Sequence, residues 1–152
     1  MSALAPCLQA LAEHLGAMRA TLATEGEALQ RGDADALPDC VGRKEAQAKA
    51  LVAAWGDLTN QLGLTEASSR AAVEQAIARA DPGLGATWAG IVGLVDEIGR
   101  LNRLNGQLIQ EQLRRTQTAL EILQTAAGQA ALYGSDGRSI ELFGPNRSID
   151  EA

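Results

Sequence analysis

The composition of this 152-residue chain favours a single helical domain and argues against several classes of partner. Apolar residues make up 46% of the chain but aromatic residues only 3%, so the apolar mass is aliphatic, which suits helix packing better than a β-sandwich. The net charge of −6 would repel phosphate backbones and argues against nucleic acid as a partner. No apolar run reaches the length of a membrane span, and no targeting signal opens the chain, so we expect a soluble, cytoplasmic protein.

The first predicted helix runs from Ser2 to about Gln30, and its apolar residues follow the 4-3 spacing of a helical bundle. Position 25, where this spacing requires an apolar residue, is Glu25. Gly32 is expected to end the helix, and Asp33 or Asp35 to cap the next one. The apolar stripe consists of Leu4, Leu8, Leu11, Leu15, Met18, Leu22 and Leu29.

The second predicted helix runs from about Ala36 to Leu62 and has a matching polar gap at Lys44. A hairpin that turns at residues 32–35 brings position 25 close to positions 42–44. Glu25 and Lys44 are therefore predicted to pair across the hairpin; the alternative is that both side chains extend to solvent. The predicted stripe of this helix consists of Leu37, Val41, Ala48, Leu51, Trp55, Leu58 and Leu62.

The two cysteines are predicted not to form a disulfide. Cys7 and Cys40 lie near the starts of two antiparallel helices, which places them more than about 20 Å apart at about 1.5 Å of rise per residue. Free thiols are typical of a reducing compartment.

A short third helix and a long fourth helix complete the set of helices predicted along the chain. Thr65 is expected to cap a helix from Glu66 to Ala80 whose apolar stripe is weak, with Val73 and Ile77 among alanines. Asp81 and the proline after it then start a helix that meets no breaker for roughly 45 residues, a length of about 70 Å.

The apolar stripe of the fourth helix contains four uncharged polar residues, Asn102, Asn105, Gln112 and Thr116. Asparagine in a buried stripe fixes helix register, and we favour this interpretation for Asn102 and Asn105. A stripe that binds another protein's helix also needs polar residues, because a purely leucine-lined surface would aggregate. We favour this second interpretation from Gln112 onward.

The sequence offers no catalytic constellation. It has one histidine and no zinc-binding or phosphate-binding motif, so we expect neither enzymatic activity nor a cofactor. His14, on the first helix, suggests a histidine phosphotransfer domain as an alternative, but no lysine follows it closely to hold the phosphoryl oxygens. A structural bundle that self-associates through the fourth helix is a further alternative.

Three stretches resemble the FlgN family, the flagellar type III export chaperones for hook-filament junction proteins. "EGEALQRGDADAL" followed by "RKEAQAKAL" resembles the family pattern across the first hairpin, and "LNRLNGQLIQEQL" resembles its paired asparagines before a Leu-Ile run. "LYGSDGR" is similar to a Tyr-Gly signature that follows the last helix. Together these stretches span about residues 20–138.

The resemblance implies a chaperone that binds the C-terminal helical region of hook-associated proteins, prevents their premature assembly and delivers them to the export gate. It implies that Tyr133 docks to that gate. The implied cargo surface comprises Asn102, Asn105, Leu108, Ile109, Gln112, Leu113, Thr116, Leu120 and Leu123.

The expected fold is all-α: an antiparallel bundle of three long helices with a short connecting helix, over residues 1–130, followed by a flexible tail over residues 131–152. An uncovered stripe on the fourth helix can pair with itself, so a homodimer of the empty protein is a further expectation.

Overall fold

The computed structural model describes residues 3–132, and side-chain exposure up to residue 129. The regular structure of these residues is helical throughout, which confirms the all-α prediction. The predicted tail begins at residue 131, but its first two residues belong to α4, and the rest, from Tyr133 onward, lies outside the described residues. The four helices are α1 (Leu4–Arg31), α2 (Leu37–Gln61), α3 (Arg70–Ala80) and α4 (Gly85–Leu132), with short 3-10 turns at Ala34–Ala36 and Pro82–Leu84.

The turn between α1 and α2 forms where the sequence predicts it. Gly32 adopts a left-handed conformation with a φ of 69°, and its N–H bonds back to the last turn of α1. The Asp33 carboxylate then accepts a hydrogen bond from the N–H of Ala36 at 3.3 Å. The helix break and the cap are therefore local properties of this short stretch.

The start of α3 differs from the prediction. Ser69, not Thr65, caps the helix, because the Ser69 hydroxyl accepts from the N–H of Ala72 at 3.2 Å. The indole N–H of Trp55 donates to the carbonyl oxygen of Glu66 at 3.0 Å. This bond ties the segment before Ser69 to α2.

The chain divides into two compact units, unit one (residues 1–109) and unit two (residues 110–152). All four helices contribute to the core of unit one. The third helix, predicted as a connector with a weak stripe, contributes Val73 and Ile77, which are both fully buried. The centre of this core comprises Leu4, Leu8, Leu11 and Leu15 with Ala54, Leu58, Val73, Ile77, Trp88 and Ile91.

The buried face of α2 is shifted from its predicted position in the first half of the helix. Val41 is 50% exposed and Ala48 is exposed, whereas Cys40 is buried and Lys44 and Gln47 are half-buried. The predicted stripe contained Val41 and Ala48 and did not contain Cys40. Both the predicted row and the observed row pass through Lys44, but the observed row continues through Cys40 and Gln47 where the predicted row had Val41 and Ala48.

Two further expectations concern the cysteines and the membrane. Cys7 and Cys40 are both free thiols. Within residues 3–132, the structure contains no helix that is both long and apolar enough to cross a bilayer.

Candidate functional site

A charged pair lies between α1 and α2 in unit one. Glu25 is 4% exposed, and its two carboxylate oxygens accept hydrogen bonds from the Lys44 ammonium at 3.2 and 3.3 Å. The structure thus places the two predicted partners in contact across the hairpin. A buried carboxylate of this kind requires a counter-charge and further donors to offset its lost hydration.

Asn105 supplies the further donor. Its side chain is 2% exposed, and its amide nitrogen donates to Glu25 Oε2 and to the carbonyl oxygen of Leu22, both at 2.8 Å. We call Glu25, Lys44 and Asn105 the polar cluster. It joins α1, α2 and the unit-one part of α4 in a single set of hydrogen bonds.

The two asparagines of the family-like motif have different surroundings. Asn102 is exposed, so its interpretation as a buried register residue is wrong, whereas Asn105 is buried. Ile91 and Asn105 of α4 are buried, and Ile98 and Leu101 between them are half-buried, a row that leaves Asn102 on the solvent side. Because Asn105 is inaccessible, we exclude it from the cargo-binding residues that the resemblance implied.

Gly26 permits the close approach of Asn105, a role that the sequence analysis did not identify. A Cβ atom at Gly26 would lie 2.8 Å from Asn105 Oδ1. The asparagine cannot move away without losing its two hydrogen bonds. The contact was not predictable, because it depends on which residue of α4 faces Gly26.

Two glycines of α1 therefore provide a matched test. Gly26→Ala is expected to lower the free energy of unfolding by about 1–3 kcal/mol through overpacking. Gly16→Ala, with no neighbouring atom within 4 Å of the new Cβ, is expected to raise it by up to about 1 kcal/mol through helix propensity. Urea unfolding followed by tryptophan fluorescence measures both changes. Equal effects of the two substitutions would contradict the contact with Asn105.

Unit two presents a row of exposed apolar residues at helical spacing. Leu113, Leu120 and Leu123 are each more than half exposed. In unit one, Leu108 is half-buried and Ile109 is 41% exposed. We call the unit-two row, which follows 3-4 spacing, the unit-two seam; it consists of Leu113, Thr116, Leu120, Leu123 and Ala127.

Ile122 is a further exposed apolar residue of unit two that the sequence analysis did not select. At about 100° per residue, Ile122 lies about 160° around the helix from Leu120, so it does not belong to the seam. Its exposure, at 63%, is similar to that of the seam leucines.

Three charged residues of unit two, Glu111, Arg114 and Arg115, form a local cluster away from the seam. Glu111 accepts hydrogen bonds from Arg114 at 2.9 and 3.1 Å and from Arg115 at 3.0 Å. These bonds, first those from Arg114 and then that from Arg115, lower the pKa of Glu111 from its ordinary value of 4.5 to about 2.

The Glu111 cluster predicts a pH dependence of unit two. Because folding lowers the pKa, the bonds stabilise the helix fully above about pH 4.5 and are lost as the pH falls towards 2. An NMR titration of the Glu111 carboxyl carbon is expected to show the low pKa, and Arg114→Gln with Arg115→Gln is expected to return it towards 4.5. A Glu111 carboxyl that titrates near 4.5 in the parent protein would contradict the cluster.

His14, the alternative phosphotransfer residue, lies half-buried in a depression between α1 and α2. The other lining residues include Cys7, four alanines and Asp57, and no lysine or arginine is among them. The depression therefore offers no cation to hold a phosphoryl group. Within the described part of the chain, no cluster of acidic, histidine or cysteine residues could hold a metal ion.

Unit one also contains an apolar cavity of about 380 Å³. Leu11 and Leu15 of α1 form one wall, and Trp55 of α2 and Trp88 of α4 form others. Arg70 lines the cavity and pairs with Asp96 at 3.1 Å. This cavity is a second apolar feature with which the unit-two seam can be compared experimentally.

The comparisons with known proteins agree with the resemblance of the sequence. Residues 1–140 match the family model FlgN, described as FlgN protein. No curated protein and no solved structure matches the chain. The match extends over α1 to α4, including the polar cluster and the seam. The chain belongs to the FlgN family, the family of flagellar export chaperones.

Proposed function

We propose that this chain is a non-enzymatic cytoplasmic chaperone that binds the C-terminal helical region of flagellar hook-associated proteins and delivers them to the export gate. The family supports the chaperone role. The observation that carries the cargo site is the exposure of three leucines, Leu113, Leu120 and Leu123, on one side of a helix. An amphipathic helix of the cargo would bury its apolar side on this row.

The proposed mechanism is that chaperone and cargo each cover the apolar surface of the other. Complete burial of a leucine side chain contributes about 1.5–3 kcal/mol, and the seam leucines retain more than half of their accessible surface. A cargo helix that occupies the seam cannot use the same surface to assemble with other subunits. Release requires only that the gate compete for the cargo helix, because no covalent step is involved.

The proposal extends the seam to neighbouring residues that the family resemblance implied. Asn102, Leu108 and Ile109 in unit one, and Gln112 in unit two, are proposed to extend the cargo surface. Tyr133, outside the described residues, is proposed to dock to the export gate. The proposed organisation is an antiparallel bundle of three long helices over residues 1–130 with a separate C-terminal tail over residues 131–152.

Co-expression tests the cargo site directly. The C-terminal segment of a hook-associated protein from the same genome is expected to form a soluble heterodimer with the full chain on a sizing column. Leu113→Asp with Leu120→Asp is expected to abolish the complex, because two charges would be buried without partners. Wild-type protein that never shifts its elution would contradict the cargo assignment.

The matched control places two aspartates on the other side of the same helix. Thr118→Asp with Thr125→Asp has the same seven-residue spacing, and both threonines are exposed. This variant is expected to retain the heterodimer. Loss of the complex in both double variants would show a general effect of charge on the helix and would contradict the seam as the site. Sizing of the empty protein measures whether the seam pairs with a second copy.

A further inference from the structure

The positions that flank the unit-two seam are uncharged. In heptad terms these are the residues that would form ion pairs with a partner helix. One flank carries Gln117 and Gln124, and the other carries Ala119 and Ala126. The seam therefore lacks the charged border by which paired helices commonly select orientation and partner.

The charges of this segment are also balanced, and three of the four bond one another. Residues 110–129 contain two glutamates and two arginines, so their formal charges cancel, although the whole chain has a net charge of −6. Glu111 accepts hydrogen bonds from both arginines, and Glu121 accepts a hydrogen bond from Gln117 at 3.5 Å. None of the four charged residues lies on the seam or on its flanks.

The polar member of the seam is already satisfied within its own helix. The Thr116 hydroxyl donates to the carbonyl oxygen of Gln112 at 3.0 Å. A partner can therefore cover Thr116 without leaving an unpaired donor, and the methyl group of the threonine supplies apolar contact. The seam can be buried at low desolvation cost.

We propose that the seam binds one amphipathic helix of the cargo with matching 3-4 apolar spacing, and that this recognition is independent of charge. The inference rests on the proposed function and specifies its partner. The leucines supply the packing, and Ala119 and Ala126 let the partner helix approach closely on one side. Gln117 and Gln124 offer amide groups to polar residues of either charge on the other side.

A charge-independent interface has a measurable signature in its salt dependence. Salt screens exposed ion pairs, so an interface held by them weakens as the ionic strength rises. The seam has no such pairs to lose. The dissociation constant for the cargo segment is therefore expected to change by less than about threefold between roughly 50 and 500 mM sodium chloride.

Calorimetric titration of the full chain with the C-terminal segment of a hook-associated protein provides the test. Arg114→Gln with Arg115→Gln is expected to leave the affinity within about threefold of the parent, since these residues lie off the seam. Leu120→Asp is expected to weaken binding at least about a hundredfold. Ile122→Asp, which places the same charge at a similarly exposed position off the seam, is expected to have less than about a threefold effect.

The outcomes separate the inference from the proposed function. A complex that forms but weakens more than about tenfold in high salt, or on removal of the two arginines, overturns charge independence and leaves the cargo function intact. Equal losses in Leu120→Asp and Ile122→Asp overturn the single-helix seam. Absence of binding in every condition overturns the proposed function itself. A salt-independent homodimer that excludes the cargo assigns the seam to a second copy and contradicts the inference.

Discussion

Replacement of Asn105 by alanine is expected to lower the free energy of unfolding by about 2–4 kcal/mol. The substitution removes the donor to Glu25 Oε2 and the donor to the Leu22 carbonyl oxygen. It leaves a carboxylate that is 4% exposed with the Lys44 ammonium as its remaining partner in the polar cluster. A buried charge that loses a donor retains its full desolvation cost, so the loss exceeds that of an ordinary hydrogen bond.

Asn102→Ala is the matched control for this substitution. Asn102 has the same side chain in the same helix and lies three residues earlier, but it is exposed. The control is expected to change stability by less than about 0.5 kcal/mol. Urea unfolding monitored by the fluorescence of Trp55 and Trp88, which both lie in unit one, reports the relevant transition. Equal stability of the two variants would show that the polar cluster does not hold unit one together.

Ile77→Ala is expected to lower the free energy of unfolding of unit one by about 2–5 kcal/mol. Ile77 is 1% exposed, and through it α3 packs into the common core. Truncation would leave a cavity among residues of all four helices, and the surroundings can collapse only in part.

Ile122→Ala is the control for this substitution, because it makes the same change of residue type at an exposed position. Ile122 is 63% exposed, and its truncation is expected to change stability by less than about 0.5 kcal/mol. Circular dichroism, which reports on the helices of both units, measures both variants, and the fluorescence of Trp55 and Trp88 follows unit one separately. A small effect of Ile77→Ala would indicate that α3 is only the connector that the sequence suggested.

The parts of the fold that were predictable depend on local chemistry. Gly32, Asp33 and Asp81 mark helix ends through backbone conformation and capping, which act over a few residues. The proximity of Glu25 and Lys44 follows from two polar gaps and one hairpin turn. Each of these inferences needs only helical geometry and the position of a turn.

The remaining features depend on contacts between distant segments. The cap of α3 lies at Ser69, and the segment before it is bonded to α2 through the Trp55 indole and the Glu66 carbonyl oxygen, a contact that the local sequence does not indicate. The apolar spacing predicted Val41 on the packed face of α2, whereas Cys40 is the buried residue there. The distinction between Asn102 and Asn105 likewise depends on which α4 residue meets α1.

Backbone amide hydrogen exchange, with and without the bound C-terminal segment of a hook-associated protein, tests the central claim that cargo binds the unit-two seam. Exposed helical amides exchange readily, and a cargo helix laid on the seam would slow them. New protection is expected across residues 110–129, with little change around Trp55 and Trp88. Protection confined to the residues that line the unit-one cavity, with unit two unchanged, would contradict this claim.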